Sequence, residues 1–308
     1  MPHAFNSKIE AALSTAPAGA PILLAGPTAS GKSALALELA GATGGAIVNA
    51  DSMQVYRELS ILTACPTADD RARAPHRLFG HVSAAEAYSV GRWLEDLTRV
   101  LAELKVAQRR PIIVGGTGLY FRAMLEGLSP VPAIPPEIRA DWRARAETLG
   151  AVALHRELAH RDAVMAARLR PSDTQRVTRA LEVLEATGRS LATWQAETSP
   201  PLIHPARAVR LVVVCEGHRL RRRAEDRVDA MVAAGAVEEV RALMAMGLSQ
   251  DLPVMRALGV RPLAEHLAGQ VSLDAAIAAT KAETWQYIRR QQTWLRRNMN
   301  SWLDVEAQ

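Results

Sequence analysis

Cysteine is nearly absent from this chain of 308 residues: Cys65 and Cys215 are the only two, far apart and in no metal-ligand spacing. That excludes a disulfide framework and a zinc site, and Cys215, closing the apolar run VRLVVVC, is expected to be a buried core residue. No apolar run reaches transmembrane length, and the opening MPHAFNSKIE lacks the apolar core of a secretion signal. The expectation is a cytoplasmic protein with no membrane partner. Internal repeats and low-complexity tracts are also missing. Lysine is scarce: only four of the 37 basic residues are lysine, so the formal charge of +5 rests on arginine. Such an excess suits a polyanionic partner without requiring one.

The arginines that are present cluster. Arg219, Arg221, Arg222, Arg223 and Arg227 crowd one stretch, and Arg289, Arg290, Arg296 and Arg297 crowd another that also holds Trp285, Tyr287 and Trp294. Arginine interleaved with aromatic rings can contact phosphates and stack on unpaired bases. The same pattern also describes a helix with arginines toward water and tryptophans toward the core.

Four apolar runs read as strands: ILLAG at 22–26, AIVNA at 46–50, PIIVGG at 111–116 and VRLVVVC at 209–215. Helical patterns alternate with the first three, as in a parallel sheet with crossover helices. The proline-rich SPVPAIPPE and TSPPLIHP bracket a helical stretch with no strand pattern. The expected fold is α/β, a P-loop NTPase-like parallel sheet core with a helical insertion. Its first part is 1–129, the insertion 130–204 and the return to the core 205–308, helical from 217 to nearly the end.

Ligands of such sheets sit at the carboxyl ends of the strands, and the chemistry-bearing residues fall there. GPTASGKS, comprising Gly26, Pro27, Thr28, Ala29, Ser30, Gly31, Lys32 and Ser33, is a full Walker A loop between a strand run and a helix. Its glycines let backbone N–H groups face phosphate oxygens, Lys32 supplies a point charge, and the Ser33 hydroxyl is placed to reach Mg2+. The loop does not distinguish a nucleotide from another diphosphate. After the second run come Asp51, Ser52, Met53 and Gln54, with Asp51 placed as a general base, a partner of the metal site or a helix cap. After the third comes Gly115-Gly116-Thr117, whose hydroxyl faces the same crevice. An arginine of the first cluster, such as Arg223, is suited to neutralising a departing diphosphate, although spacing does not choose among them.

Taken together, GPTASGKS, NADSMQVYREL, PHRLFGHV, AEAYSVGRW, VGGTGLYFRAMLEGL, SDTQRVTRALEVLEATGRS and RQQTWLRR resemble the tRNA dimethylallyltransferase family, in family order over about residues 22–297. The resemblance implies transfer of a dimethylallyl group from dimethylallyl diphosphate to N6 of the adenosine beside the tRNA anticodon, by a chain that works as a monomer with Mg2+. It implies that the loop holds the leaving diphosphate, that Lys32, Ser33 and Arg223 stabilise it, and that Asp51 is the base with Thr117 as its hydroxyl partner. The base would enter a channel between core and insertion. Contacts to the tRNA anticodon stem-loop are implied at Asp51, Ser52, Met53, Gln54, Thr117, Arg139, Gln175, Arg176, Val177, Thr178 and Arg179. Others are implied at Arg256, Arg261, Arg289, Arg290, Gln291, Thr293, Trp294 and Arg296. The chain departs from the family pattern IGTAKPT, reading ILTACPT with Leu62 for glycine and Cys65 for lysine, and Val260 stands where an aromatic residue is common. The first change in charge puts a phosphate or tRNA contact in doubt, and Val260 implies a lost stacking surface. The loop read without the resemblance also fits an ATP-dependent kinase or a nucleotide-switched RNA-binding module.

Overall fold

The computed structural model describes residues 7–307; Met1 to Asn6, which open the stretch read for a leader, and Gln308 lie outside the described residues. Among the described residues one sheet of six parallel strands forms: β1 Ile22–Ala25, β2 Ala46–Asn49, β3 His76–Arg77, β4 Pro111–Gly115, β5 Val209–Val214 and β6 Leu303–Glu306. Their order is β3-β2-β4-β1-β5-β6. β1, β2 and β4 are buried along their whole length, which is why they read as continuous apolar runs rather than alternating ones.

β3 and β6 are absent from the sequence reading. β3 is two half-exposed polar residues, and β6 is a short LDVE edge strand with alternating burial, so neither makes an apolar run. The chain after 217 is helical to Asn298, close to its end, as the sequence pattern reads.

Helices cover both faces. On one, Trp93 and Leu97 of the helix Val90–Val106 pack with Tyr120 and Phe121 of the helix Gly118–Glu126. On the other, Ile9, Leu35 and Leu39 pack from the helices Ser7–Thr15 and Lys32–Thr43. The helix Leu273–Asn298 turns Thr284, Ile288, Gln291 and Leu295 inward, at the spacing of one helical face.

Two compact units are formed, one from the described residues up to Leu125 together with those from Leu202, the other from Glu126–Pro201. The second unit is all helical, with a core of Trp142, Leu154, Leu158, Val177 and Leu181. Its longest helix, Pro136–Arg161, is broken at Gly150, where φ is 73°. This unit contains ten arginines and no lysine against ten carboxylates, so the whole excess of +5 belongs to the rest of the chain.

The strand order decides where the site lies. β4 separates β2 from β1, so the segments following β2, β4 and β1 are successive neighbours at one edge of the sheet. Their closest approach is between β2 and β4, where a Cβ on Gly115 would stand 2.0 Å from the Ala50 carbonyl oxygen. Gly115→Ala is expected to cost about 3 kcal/mol, at the upper end for overpacking because the obstacle is backbone. Urea unfolding measures it, and a loss under about 1 kcal/mol would show that the two segments separate freely.

Candidate functional site

The loop after β1 is built around two left-handed residues, Ala29 at φ 63° and Gly31 at φ 90°. Gly31 is fixed by space as well as by φ, because a Cβ there would meet the Ala307 side chain at 2.7 Å. The same position is 3.7 Å from Arg223 Nη1, which puts that guanidinium at the loop's mouth. Ser30 is buried and its hydroxyl has no hydrogen-bond partner among the described residues. An unpartnered buried hydroxyl in a loop with two left-handed residues is a group suited to an oxyanion.

Lys32 opens the helix Lys32–Thr43, and its ammonium folds back to donate to Pro27 O at 3.1 Å. Burial pushes the Lys32 ammonium down to about 8 from its ordinary 10.5, against the pull of Asp51, and the charge of Arg227 lowers it further. Arg227 is itself lowered by burial, while Asp51 opposes that shift. Arg223 and Arg227 are one helical turn apart on the helix Gly217–Ala233 and line one open cleft with Gly31, Lys32 and Ser33. The sequence leaves the choice among the clustered arginines open; the structure turns these two toward the loop. Their spacing of four was the available signal.

Asp51 is held by its neighbours. Asn49, fully buried at the end of β2, accepts the Asp51 N–H on Oδ1 at 2.8 Å and donates from Nδ2 to Asp51 O and Leu78 O. The indole of Trp93 donates to Asn49 O at 2.9 Å and stacks on Tyr120 at 4.3 Å. One Asp51 oxygen accepts the Met53 N–H at 3.0 Å; the other has no hydrogen bond among the described residues. Thr117, after β4, accepts the Ser52 N–H on Oγ1 at 3.0 Å and donates to Ser52 Oγ at 3.3 Å. Beside them, burial pushes the Tyr287 phenol above its ordinary value, Asp51 adds to the rise, and Thr117 and Gln291 oppose it. Tyr287, Arg227 and Asn49 join this cluster, and the sequence reading gave none of the three an individual role; Ser30 was read there as part of the phosphate loop.

A cavity of about 250 Å³ joins these groups. Thr28, Asp51, Ser52, Met53, Arg227, Arg256, Tyr287 and Arg290 line it, together with apolar Leu62, Val228, Met231, Val232 and Leu263. Gln291 is not on an outer surface. It is buried, accepting the Thr28 N–H at 2.8 Å and donating to Gly116 O at 3.1 Å. Gln54 likewise spends its amide on Thr63 O and Ala64 O. Arg289, Thr293 and Arg296 are exposed; Arg289, Arg290, Thr293 and Trp294 line a shallow groove, with Arg290 5.7 Å from the Tyr287 ring. Trp294 lies flat on Gly118, where a Cβ would be 2.5 Å from its ring. Arg261 is exposed and paired with Glu283 and Glu265.

Arg139, Gln175, Arg176, Val177, Thr178 and Arg179 belong to the Glu126–Pro201 unit. Val177 and Thr178 are buried, Val177 within that unit's core, so their side chains offer nothing to a partner. Gln175 and Arg176 are exposed, and Arg179 is half-buried against Glu182. Val260 is a buried core residue, so the position offers no stacking surface in this chain. Cys215 is half-buried beside Leu220, Ala224 and Ile288 rather than deep in the core.

The IPP transferase family model matches residues 54–298, and an isopentenyl transferase model matches residues 21–79. A tRNA dimethylallyltransferase of Methylocella silvestris is 53% identical over 285 residues, 92% of this chain and 94% of that one. Another from Allorhizobium ampelinum is 50% identical, covering 92% and 94%. Among solved structures, the tRNA isopentenylpyrophosphate transferase of Bacillus halodurans superposes with a TM-score of 0.67 at 31% identity, over 94% of this chain and 90% of its own. A eukaryotic dimethylallyltransferase acting on tRNA gives 0.78 at 25% identity, over 93% and 73%.

The lowered ammonium makes a sign-definite prediction. In the ligand-free chain Lys32 loses its proton above about pH 8, so its strain weighs on stability below pH 8 and is relieved toward 10.5. A bound polyanion favours the charged form. Inorganic diphosphate is expected to bind with proton uptake near pH 8–9 and to weaken about fivefold between pH 8 and 9. Calorimetry in two buffers measures both, and the same uptake in Lys32→Met would assign the proton elsewhere.

Proposed function

Since the chain belongs to the IPP transferase family of tRNA dimethylallyltransferases, we propose that it transfers a dimethylallyl group from dimethylallyl diphosphate to N6 of the adenosine 3′ to the anticodon in tRNA. The observation that carries this reading is a shared wall: Asp51, one of whose carboxylate oxygens has no hydrogen bond among the described residues, borders a partly apolar cavity with Thr28 of the phosphate loop and Arg227, and Arg227 also borders the cleft of Gly31, Lys32 and Ser33. An anion cradle, a base and a greasy wall in contact are what alkyl transfer from an allylic diphosphate requires. No feature favours phosphoryl transfer over it.

The diphosphate lies in the loop, where the backbone N–H groups, Lys32, Arg223 and Arg227 face it. As the carbon–oxygen bond of the donor breaks, negative charge grows on the diphosphate, and these fixed cations stabilise it without having to move. The adenine amine is a poor nucleophile because its lone pair is delocalised into the ring. Asp51 takes the N6 proton as the nitrogen–carbon bond forms. Thr117 and the protonated Tyr287 border the carboxylate and orient the base edge.

A divalent cation fits the residues present. Ser33 is exposed at the loop and its hydroxyl takes no hydrogen bond from the described residues, while no cluster of three His, Cys, Asp or Glu side chains exists among them. Mg2+ is commonly held by one or two protein oxygens plus substrate phosphates, so Ser33 is the residue to hold it. Bound there, it supplies further positive charge to the leaving group.

For the tRNA, the groove of Arg289, Arg290, Thr293 and Trp294 offers cations and a ring, with Arg256, Arg261 and Arg296 nearby in the same unit. In the second unit Arg139, Gln175, Arg176 and Arg179 are the contacts proposed. The ion pairs Arg176–Asp173 and Arg261–Glu283 are exposed at their arginines, so they yield readily to phosphate. No helix among the described residues is long and apolar enough to cross a membrane. On this reading the chain works in the cytoplasm on tRNA, and one chain holds every group the reading uses.

The test incubates the protein and Mg2+ with unmodified tRNA and either dimethylallyl diphosphate or ATP, then weighs the digested nucleosides. A dimethylallyl gain on adenosine that depends on the diphosphate is expected; phosphate release from ATP with no gain would return the loop to nucleotide chemistry. Asp51→Ala is expected to lower turnover by roughly 10²-fold or more. Full turnover in that variant would remove Asp51 from the mechanism. Replacing Arg289 and Arg290 together by alanine is expected to weaken tRNA binding and to reduce its logarithmic salt slope by about 1 to 2. A slope equal to the parent's would put both side chains in bulk water.

A further inference from the structure

We propose that Glu239 is a positioning residue for the diphosphate site: it pins the segment 60–63 so that the Thr63 carbonyl holds Arg227 at the phosphate loop. The link to a leaving group rests on the transferase reading above. Arg227 borders both the cavity with Asp51 and the cleft with Gly31, Lys32 and Ser33, so its guanidinium has two spaces into which it can turn. A long, flexible cation is preorganised only if something selects one of its conformations. Among the described residues the one hydrogen-bond acceptor of Arg227 is Thr63 O, 3.4 Å from Nη2. Whatever places that carbonyl places the cation.

Glu239 lies in the first turn of the helix Ala236–Ala245 and is half-buried. One of its carboxylate oxygens accepts Ser60 Oγ–H at 3.1 Å and Ile61 N–H at 2.7 Å, and the other accepts Leu62 N–H at 2.9 Å. Charge-assisted bonds to three consecutive residues fix the segment from one side. From the other side Gln54 donates to Thr63 O at 2.8 Å and to Ala64 O at 3.1 Å. The segment needs such ties, because it is a turn without strand or helix and Ala64 sits at φ 50°, which a residue other than glycine adopts at a cost. It is also the partition between the two spaces: Leu62 and Thr63 line the cavity, while Ser60, Ile61, Ala64 and Cys65 line the cleft. Glu238, the preceding residue, shows what a carboxylate of this turn does otherwise, being exposed and paired with Arg241 on its own helix. A favourable interaction with the helix dipole would be common to both, and only Glu239 reaches the segment. Its charge is felt at Cys65 on the rim of the cleft, so by charge alone Glu239 opposes an anion there. Positioning and charge thus predict opposite signs for its removal.

The experiment measures by calorimetry the affinity of inorganic diphosphate, with Mg2+, for the parent, Glu239→Ala, Arg227→Ala and the double variant, with thermal unfolding to verify each fold. Glu239→Ala is expected to weaken binding about tenfold in the parent but less than about twofold once Arg227 is alanine, because the carboxylate acts through the guanidinium. Glu239→Gln is expected to weaken it about threefold, since its amide offers one acceptor oxygen where the carboxylate has two, and it serves if the alanine variant unfolds. Glu238→Gln, the control for helix charge, is expected to bind as the parent does, and an equal loss there overturns the assignment to Glu239. Tighter binding in Glu239→Ala, or equal weakening in both backgrounds, overturns the positioning role. The expected cycle in a parent that transfers no dimethylallyl group to tRNA overturns the transferase reading and leaves the positioning role standing. A parent that binds no diphosphate overturns both.

Discussion

The side-chain amide of Gln291 ties two loops that no backbone hydrogen bond joins among the described residues. It accepts from Thr28 in the phosphate loop and donates to Gly116 after β4. Both bonds are made by a buried side chain, where leaving an amide group unsatisfied costs more than a made bond contributes, so the tie is costly to break. Gly116 has to be glycine for this to happen, since a Cβ there would lie 2.2 Å from the Gln291 nitrogen. Because Thr117 follows directly and engages Ser52, the tie passes to Asp51. The cradle and the base are thus held in one frame by a residue that touches neither the diphosphate nor the proton.

Charge is arranged on the same principle of fixing groups before the ligand comes. Lys32 and Arg227 are both held below their ordinary values by burial, and Asp51 is the anion that each of them feels. A cluster with two buried cations and one nearby carboxylate is short of negative charge, and a diphosphate completes it. Asp51 benefits in turn. Its second oxygen is tied up in no ion pair among the described residues, which leaves it open to the amine of the proposed reaction. An Asp51 locked in a two-oxygen salt bridge would have been a structural residue.

Much of this was legible in the sequence. The four buried strands were, because strands covered on both faces must be apolar throughout, and the residues following them were placed with them. The edge strands β3 and β6 were not, since half-exposed strands of two and four residues carry no such pattern. Asp51, Thr117 and the phosphate loop were legible because each follows a strand run directly. Asn49 was hidden inside the run AIVNA, where a polar residue reads as a strand end and gives no hint of its three hydrogen bonds. Tyr287 and Gln291 sit on a long helix whose sequence is rich in arginine and aromatics, and composition there suggests an outer surface. Only the inward phase of Thr284, Ile288, Gln291 and Leu295 shows which members of the cluster turn toward the sheet.

The residue at position 65 shows how such a frame tolerates a loss. Cys65 stands where the family pattern has lysine, and it borders the cleft of Lys32, Ser33, Arg223 and Arg227. Burial pushes its thiol above the ordinary value, with Asp51 and Glu239 acting in the same direction, so it contributes neither a cation nor a reactive thiolate. The cleft keeps three cations, two of them arginines whose forks bind phosphate oxygens in pairs. Position 65 is half-buried like those three, so a lysine there would have been a fourth charge of the same cleft. Under the proposed reaction, the cations left to stabilise the departing diphosphate are Lys32, Arg223 and Arg227, which the fold already gathers on one cleft.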